Sequence, residues 1–552
     1  MKDYVFRPKF FTLLQQGISR RQLQQDIAAG VIVGIVALPL AIAFAVASGV
    51  SPEKGLMTAV VAGFVISLLG GSRVQIGGPT GAFIVVVYGV VSQYGMEGLL
   101  ISTLLAGIML VGFGLLRLGS VLKFIPHPLI VGFTSGIAVV IFSTQINDAF
   151  GMGISNLPAG FIAKWSTYGA NISQTNLWSL GITLLTMGVI LFSRKITSRI
   201  PGTFIALIIT TLLVVFFKLP VPTIETVFGA IPSTFSFDLP AIDLNNIPKY
   251  LAPAFTIAFL GAIESLLSAV VADGMIGTSH RSNTELIGQG IANILSPLMG
   301  GIPATGAIAR TVTNIKSGGR TPVAGIVHAL TVLLIMLFLG NYAKLIPMSC
   351  LAGILIIIAY NMSEWRSFRS ILRGYRYDIA ILLTTFFLTV LVDLTVAIQI
   401  GIVLASLLFM QRMSKASHIM QLESDDDLLE NYDAIPKEIE IYEISGPFFF
   451  AAAKKYREVL QNIHQRSSII IIRMRHVSFI DATGIHNFRE TILDIQGSGK
   501  KVILSGVRPD VMHELEKSRL AFMIGKGNIF GHFDQAIEKA LHLVETKQEN
   551  NE

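Results

Sequence analysis

One cysteine, Cys350, stands among 552 residues. It lies in an apolar run, so the chain has no disulfide framework and no cysteine-based metal site, and its redox compartment cannot be read from thiols. Charge is also scarce. Asp, Glu, Lys and Arg make up 14% of the chain, against about 25% in an average soluble domain. There is no P-loop, catalytic triad or zinc motif; Gly318-Gly319 and similar pairs punctuate loops. The net charge of +7 is not a nucleic-acid signal, because the basic residues cluster at the flanks of apolar runs. No cleavable signal peptide is expected. Met1 to Gln25 is polar and basic, and the first apolar run is too long for the core of one.

What the chain has in abundance is apolar sequence. It is 52% hydrophobic, with a mean hydropathy of +0.65. Apolar runs fall at about 27–49, 54–71, 78–94, 96–116, 128–146, 176–193, 202–217, 251–272, 286–300, 304–315, 323–340, 345–361, 378–393 and 395–411. Runs near 20 residues are the length a helix needs to cross a bilayer. About 14 spans make two halves of seven, and an odd count per half inverts the second half relative to the first. With the N-terminus inside, thirteen Lys and Arg fall in inner loops and five, Lys164 among them, in outer ones. That is the bias of the positive-inside rule.

The stretch Gly301-Ile-Pro-Ala-Thr-Gly-Ala-Ile-Ala-Arg310 breaks a helix at membrane depth, with a new helical run expected near Thr305. Such breaks survive only where they are buried in protein or line a cavity. The helix end that follows offers free N–H groups and a partial positive charge, a natural place for an anion. The same phrase occurs earlier as Gly78-Pro-Thr-Gly-Ala82, and Gly81 and Gly306 lie 225 residues apart. By that offset Pro39 corresponds to Glu264. Interrupted segments at matching places in two halves point to a transporter binding site. The candidate substrate-binding residues are therefore Thr80, Gly81, Gly306, Ala307 and Arg310, with Thr305 as a further donor at the helix end, offering hydroxyl, backbone N–H and guanidinium donors. Tight packing of small residues is the structural alternative. Glu264 lies mid-segment, with Ser268 one turn on along the same face. A carboxylate at that depth is a functional hypothesis by default, and the pair is the candidate coupling-ion site. Asp273, His280 and Arg281 read as interfacial, His328 as a packed histidine, and Asp393 stays open.

After Arg412 the composition changes. The expected organisation is a cytoplasmic N-terminal segment (1–25), a transmembrane domain (26–412), a polar linker with an acidic run at 423–427 (413–436), and a soluble α/β domain (437–547). Strands are expected at 438–444, 468–473 and 501–505, and helices at about 450–464, 484–498, 509–517 and 533–546. Alternation of this kind predicts a small, largely parallel layered domain. An even number of spans puts it in the cytoplasm with the N-terminus. Asp481 and Thr483 open the helix after Phe479-Ile480, as cap or as phosphorylation position.

Taken together, Ala37-Leu-Pro-Leu-Ala-Ile-Ala-Phe44, Gly70-Gly-Ser-Arg73, Gly78-Pro-Thr-Gly81, Gly261-Ala-Ile-Glu-Ser265, Gly306-Ala-Ile-Ala-Arg-Thr311 and Asp481-Ala-Thr-Gly484 resemble the sulfate permease (SulP) family of anion transporters with a C-terminal STAS domain. The resemblance spans nearly the whole chain. It implies a polytopic α-helical membrane protein with a seven-plus-seven inverted repeat, divided into core and gate domains that move as an elevator. It implies a homodimer in the bacterial inner membrane, in contact with lipid. It places the anion site at Thr80, Gly81, Gly306, Ala307, Glu264 and Arg310, and it sets Thr483 where anti-sigma-factor antagonists carry a phosphorylated serine, with a cytoplasmic protein partner for the STAS domain. Asn361-Met-Ser-Glu364, Gly401 to Met410 and Gly446-Pro-Phe-Phe-Phe-Ala451 are similar to the C4-dicarboxylate branch. The bicarbonate branch shares the Leu-Pro-Leu-Ala start, but has Asp at the position of Glu264 and no Arg at that of Arg310. Leu40 stands where many members have Gln.

The expected activity is secondary active transport of sulfate-class inorganic oxyanions or C4-dicarboxylates, without enzymatic chemistry or a cofactor beyond a coupling H⁺ or Na⁺. Proton coupling comes first. A charged Glu264 some 4 Å from a bound anion would cost about 4 kcal/mol at an effective dielectric near 20, and burial favours the neutral carboxyl. The alternatives are Na⁺ held by Glu264 and Ser268 in a bicarbonate symporter, neutralisation by Arg310, or an uncoupled channel or exchanger.

Overall fold

The computed structural model describes residues 6–120, 126–154, 157–158, 160–196, 201–229, 247–392, 394–422, 435–450 and 467–549. Asp393, the acidic run at 423–427 and nearly all of the helix expected at 450–464 lie outside these residues. The chain divides into two compact units, Met1–Val403 and Leu404–Glu552.

In the first unit every expected apolar run is built into a helix, because a helix satisfies its own backbone groups where water is absent. The order is α1 (Lys9–Gln16), α2 (Arg20–Ala47), α3 (Pro52–Leu69), α4 (Phe83–Leu115), α5 (His127–Phe150), α6 (Phe161–Ala170), α7 (Leu177–Ile196), α8 (Gly202–Phe217), α9 (Ile224–Phe228), α10 (Ile247–Ile276), α11 (Ser282–Leu298), α12 (Ile308–Lys316), α13 (Val323–Ala343), α14 (Met348–Met362), α15 (Trp365–Ile371), α16 (Arg376–Leu391) and α17 (Leu394–Ala416). Among the described residues, 7 helices are long and apolar enough to cross a membrane, and three shorter apolar helices accompany them. Two expected runs merge into the 33-residue α4, but Gly95 at φ 69° and ψ −173° interrupts it between them. Unbroken, α4 would be about 50 Å long, well beyond a ~30 Å hydrocarbon core.

The packing shows the inverted repeat. α2 lies against α13 as α10 lies against α4, and α3 against α13 as α11 against α4. A second set repeats the relation: α5 packs on α16 as α14 packs on α7. We label the first set the core helices and the second the gate helices. Glycines let the core helices touch backbone to backbone. A β-carbon at Gly107 would stand 2.7 Å from the Gly290 carbonyl oxygen, and one at Gly290 would stand 2.6 Å from that of Gly107. Packing of this kind replaces the hydrophobic drive that lipid removes.

Buried carboxylates tie the loops to this core. Asp26, fully buried in α2, accepts from the backbone N–H groups of Arg320 (2.7 Å) and Thr321 (3.2 Å), the Thr321 hydroxyl (2.6 Å) and the Gln22 amide (3.1 Å). Glu285 of α11 accepts from the Gly71 and Ser72 N–H groups at 2.7 and 2.9 Å, and from Ser265 Oγ and Gln289 Nε2 at 3.2 Å each.

The second unit holds a 5-stranded sheet in the order β3 (His418–Leu422), β4 (Ile439–Ser445), β5 (Ile469–His476), β6 (Lys501–Ser505) and β7 (Ile529–Phe530); the labels β1 and β2 belong to the first unit, as β1 (Gly77–Gly78) and β2 (Thr305–Gly306). β3 runs antiparallel to β4 and the other pairs are parallel. Three strands, β4, β5 and β6, match the expected runs at 438–444, 468–473 and 501–505. The other two were missed, β3 because it sits in the polar linker and β7 because it is only two residues long. Side chains alternate between the faces. Ile470, Ile472, Val502 and Leu504 pack on the helices Ala482–Gly497 and Pro509–Lys517, while Ile469, Ile471 and Ile503 pack on Phe533–Glu549. Both faces are covered, which explains the continuous isoleucine run of β5.

Asp26→Ala leaves three donors of the 320–321 loop without their acceptor. The expected loss is about 1–3 kcal/mol, seen as a lower melting temperature of the detergent-solubilised protein. An unchanged transition would mean that the loop is held by other contacts.

Candidate functional site

Two chain breaks meet in the core of the first unit. β1 and β2 pair antiparallel, Gly77 opposite Gly306 and Gly78 opposite Thr305. The second helix therefore begins at Ile308 rather than near Thr305, because Thr305 and Gly306 are drawn into extended pairing. Around this ladder, side chains satisfy the unwound backbone. The Ile302 N–H donates to Thr58 Oγ1 at 2.7 Å, and the Ile302 carbonyl accepts from Ser296 Oγ at 2.8 Å. Asn293 pairs with both polar groups of Ala304 at 2.8 and 2.9 Å. On the other break, the Val74 carbonyl accepts from Asn314 Nδ2 at 2.8 Å, and the Ile76 N–H donates to Thr311 Oγ1 at 3.1 Å. An irregular backbone at membrane depth needs this accounting.

The ladder sets the ends of α4 and α12 beside α10. Thr80 Oγ1 donates to Glu264 Oε2 at 2.8 Å. Arg310 is 1% exposed, the largest fully buried side chain described. Its Nη2 donates to the Pro79 carbonyl, and its Nη1 has no hydrogen-bond partner. Gly78, at φ +143°, lies against that guanidinium: a β-carbon there would be 2.6 Å from Nη1. Glu264 is half-buried, and no ion pair joins it to Arg310 among the described residues. Arg310 sits in the first turn of α12, where the helix dipole disfavours a cation. Burial adds a desolvation penalty for a charge without a counter-ion. Together they leave a local demand for negative charge.

Thr80, Glu264 and Arg310 are thus brought together. Gly81 lies beside them in a tight spot, where a β-carbon would stand 2.9 Å from Met362 Sδ. Three expected donors are already engaged. The Ala307 N–H donates to the Ile76 carbonyl at 2.8 Å, and the Thr305 hydroxyl to the Gly261 carbonyl at 2.9 Å. Ser268 Oγ donates to Thr311 Oγ1 at 3.3 Å and is not joined to Glu264. Gln75 was missed by sequence reasoning. Its Nε2 donates to Ser265 Oγ at 2.9 Å, and it fills the space where a β-carbon on Gly306 would go, 1.5 Å away. A lone amide between apolar residues and Gly77-Gly78 was the available signal.

Asp273, His280 and Arg281 form a separate cluster. The Asp273 carboxylate accepts from the His280 N–H at 2.7 Å, and Arg281 Nη1 donates to the Arg7 carbonyl at 2.7 Å. His328 is fully buried on α13, close against Gly63. In the second unit, Asp481 caps the helix Ala482–Gly497 by accepting from the Gly484 N–H at 2.6 Å, while Thr483 is exposed in its first turn.

Residues 23–385 match the Sulfate permease family and residues 434–536 match the STAS domain. A Bacillus subtilis (strain 168) protein described as "Putative sulfate transporter YvdB" is 41% identical over 94% of this chain and 98% of its own length. The bicarbonate transporter BicA of Picosynechococcus sp. is 30% identical over 94% of this chain and 95% of its own. The solved transmembrane domain of a cyanobacterial BicA superposes with a TM-score of 0.62 at 31% identity, covering 70% of this chain and 98% of that one. The murine Slc26a9 anion transporter, solved in the inward-facing state, gives a TM-score of 0.88 at 17% identity, covering 97% and 94%, a likeness of fold alone.

Gly306→Ala must push the Gln75 amide off Ser265. We expect about tenfold weaker apparent anion affinity, the equivalent of one hydrogen bond or roughly 1.4 kcal/mol. Gln75→Ala in the same chain frees that space and should restore part of the loss. Radiolabelled anion uptake into proteoliposomes measures both, and no recovery in the double variant would place the damage in the backbone instead.

Proposed function

The chain belongs to the sulfate permease family of anion transporters, and on that premise we propose that it is a proton-coupled secondary transporter of inorganic oxyanions, sulfate foremost. One observation carries the reading. The Arg310 guanidinium is buried in the first turn of α12 with Nη1 unpartnered, so the site is completed by an anion. A sulfate oxygen accepting from Nη1 would also lie within the field of the α12 N-terminus. The 41% identical Bacillus subtilis relative supports sulfate by its description.

Glu264 supplies the coupling. Ionised, it offsets the charge of Arg310 and opposes anion entry; neutral, it leaves the site cationic. Anion binding and protonation therefore favour one another, and the linkage is reciprocal. Thr80 fixes the carboxyl in either state, since its hydroxyl can donate to the anion or accept from the acid. The split into core and gate helices supports an elevator motion, with the core carrying Thr80, Glu264 and Arg310. The proposal includes a homodimer in the bacterial inner membrane with both termini cytoplasmic, and Thr483 as a modification position at a helix N-terminus, where added phosphate is favoured.

A second reading, Na⁺-dependent bicarbonate symport, is favoured by the 30% identity to BicA. It needs a cation at Glu264, and Ser268 would have to leave Thr311 to help.

The test is uptake of labelled sulfate and bicarbonate into proteoliposomes, with inward proton and Na⁺ gradients imposed separately. Sulfate accumulation driven by protons is expected; bicarbonate accumulation that requires Na⁺ would establish the second reading. Glu264→Gln should keep anion binding and lose the response to a pH gradient, and intact pH-driven uptake in that variant would sink proton coupling through Glu264. Arg310→Ala should raise the apparent KM by about tenfold or more for divalent sulfate, and by less for monovalent bicarbonate. Equal effects would make Arg310 structural.

A further inference from the structure

A cavity of about 540 Å³ opens between α4 and α10 on one side and α5, α6, α16 and α17 on the other. It lies along the seam between core and gate. The helix order alternates ends, so Gln93, Lys164, Leu391 and Gln399 line it at the ends opposite the N-terminus of α2. Its lining begins at Ile84, just past the Thr80–Gly81 end of α4. Tyr88 stands eight residues beyond Thr80, about 12 Å along a helix.

Lys164 is the one cation in the lining, and no carboxylate lines the cavity among the described residues. Lys164 is 4% exposed. Its Nζ lies 5.6 Å from the Tyr88 ring centroid, a cation–π distance. Among the described residues no carboxylate pairs with it, and burial holds its ammonium below the ordinary lysine range. α6 is clamped in place around it: Trp165 Nε1 donates to Ser143 Oγ at 3.0 Å, and the Tyr168 hydroxyl donates to the Ser143 carbonyl at 2.8 Å. A buried ammonium facing a cavity, with an aromatic ring and no carboxylate beside it among the described residues, retains most of its demand for a counter-charge. Thr144 and the amides of Gln93 and Gln399 add hydrogen-bonding groups to the lining.

We propose that this cavity is a second anion site, a capture site in which Lys164 holds a small inorganic anion on the side opposite the N-terminus before it passes along α4 to the Thr80–Arg310 site. The assignment of a transported anion rests on the function proposed above; the binding itself does not. A monovalent or divalent oxyanion fits the single positive charge. Tyr88 and Lys164 belong to opposite sides of the seam, so movement of the core past the gate would separate them and release the anion.

Trp165 is a reporter next to the site. In a full-length Trp178→Phe, Trp365→Phe background, it is titrated with sodium sulfate and sodium chloride at constant ionic strength, with gluconate as the filler anion. We expect a saturable change in emission that weakens about tenfold in Lys164→Met and is retained in Lys164→Arg. In proteoliposomes of fixed orientation, Lys164→Met should raise the apparent KM about fivefold for anion presented on the cavity side, with kcat and the KM from the other side unchanged. An unaltered titration together with an unaltered cavity-side KM in Lys164→Met overturns the capture site, whatever the transport assay shows for wild type. If wild type moves neither sulfate nor bicarbonate while the Lys164-dependent titration persists, the transport reading falls and the site stands.

Discussion

The two-residue ladder between Gly77-Gly78 and Thr305-Gly306 is the contact on which the rest of the transport unit depends. It joins two broken helices from opposite halves of the chain at a depth where unpaired backbone groups cost several kcal/mol each. Only glycine suits most of its positions. Gly306 has no room for a β-carbon beside Gln75, and Gly78 holds a positive φ against the Arg310 guanidinium. Pairing draws Thr305 and Gly306 out of the helix, delays the start of α12 to Ile308, and so puts Arg310 in that helix's first turn. Much of the site's character follows from that shift.

The buried carboxylates of this unit differ in what surrounds them, and the difference separates scaffold from machinery. Asp26 and Glu285 are fully buried, and each accepts four or more hydrogen bonds, most of them from loop backbone or neighbouring side chains. Carboxylates whose oxygens are so fully engaged hold loops in place. Glu264 has one hydrogen-bond partner among the described residues, Thr80, and is half-buried. Under the proposed function it is this sparsely bonded carboxyl that takes up the coupling proton. The same comparison distinguishes the cations. Arg320 donates to the carbonyls of Ile315 and Gly319 and caps a loop, whereas Arg310 is buried with Nη1 unpartnered among the described residues and Lys164 lines a cavity. On the proposed function, anion selectivity would arise from cations kept under-neutralised, not from an excess of charge.

Much was legible before any fold was known. Apolar length predicted the helices, and the near-repeat of Pro79-Thr-Gly-Ala82 as Pro303-Ala-Thr-Gly-Ala307 pointed to the candidate site, because both follow from local rules about bilayer thickness and helix breaking. The sequence could not show which donors were already engaged. Ala307, Thr305 and Ser268 looked available, yet each donates within the protein. Gln75 and Thr311 looked ordinary, yet they hold the ladder. Glu285 fell just outside an expected apolar run and so escaped the rule that flags buried charges.

By itself the sequence determined the class of protein, its two-part organisation, the repeat, and the identity of Glu264 and Arg310 as residues out of place in an apolar setting. These are one-dimensional properties: a run length, a period, a charge where none belongs. The tertiary structure alone decided which halves meet and which hydroxyl finds Glu264. It also decided that Arg310 keeps a free Nη1, and that Lys164, read from sequence as one more outer-loop lysine, is buried in a cavity beside Tyr88. Those properties depend on partners 76 to 231 residues distant along the chain, and hydrogen-bond saturation is a property of neighbours, which no local pattern records.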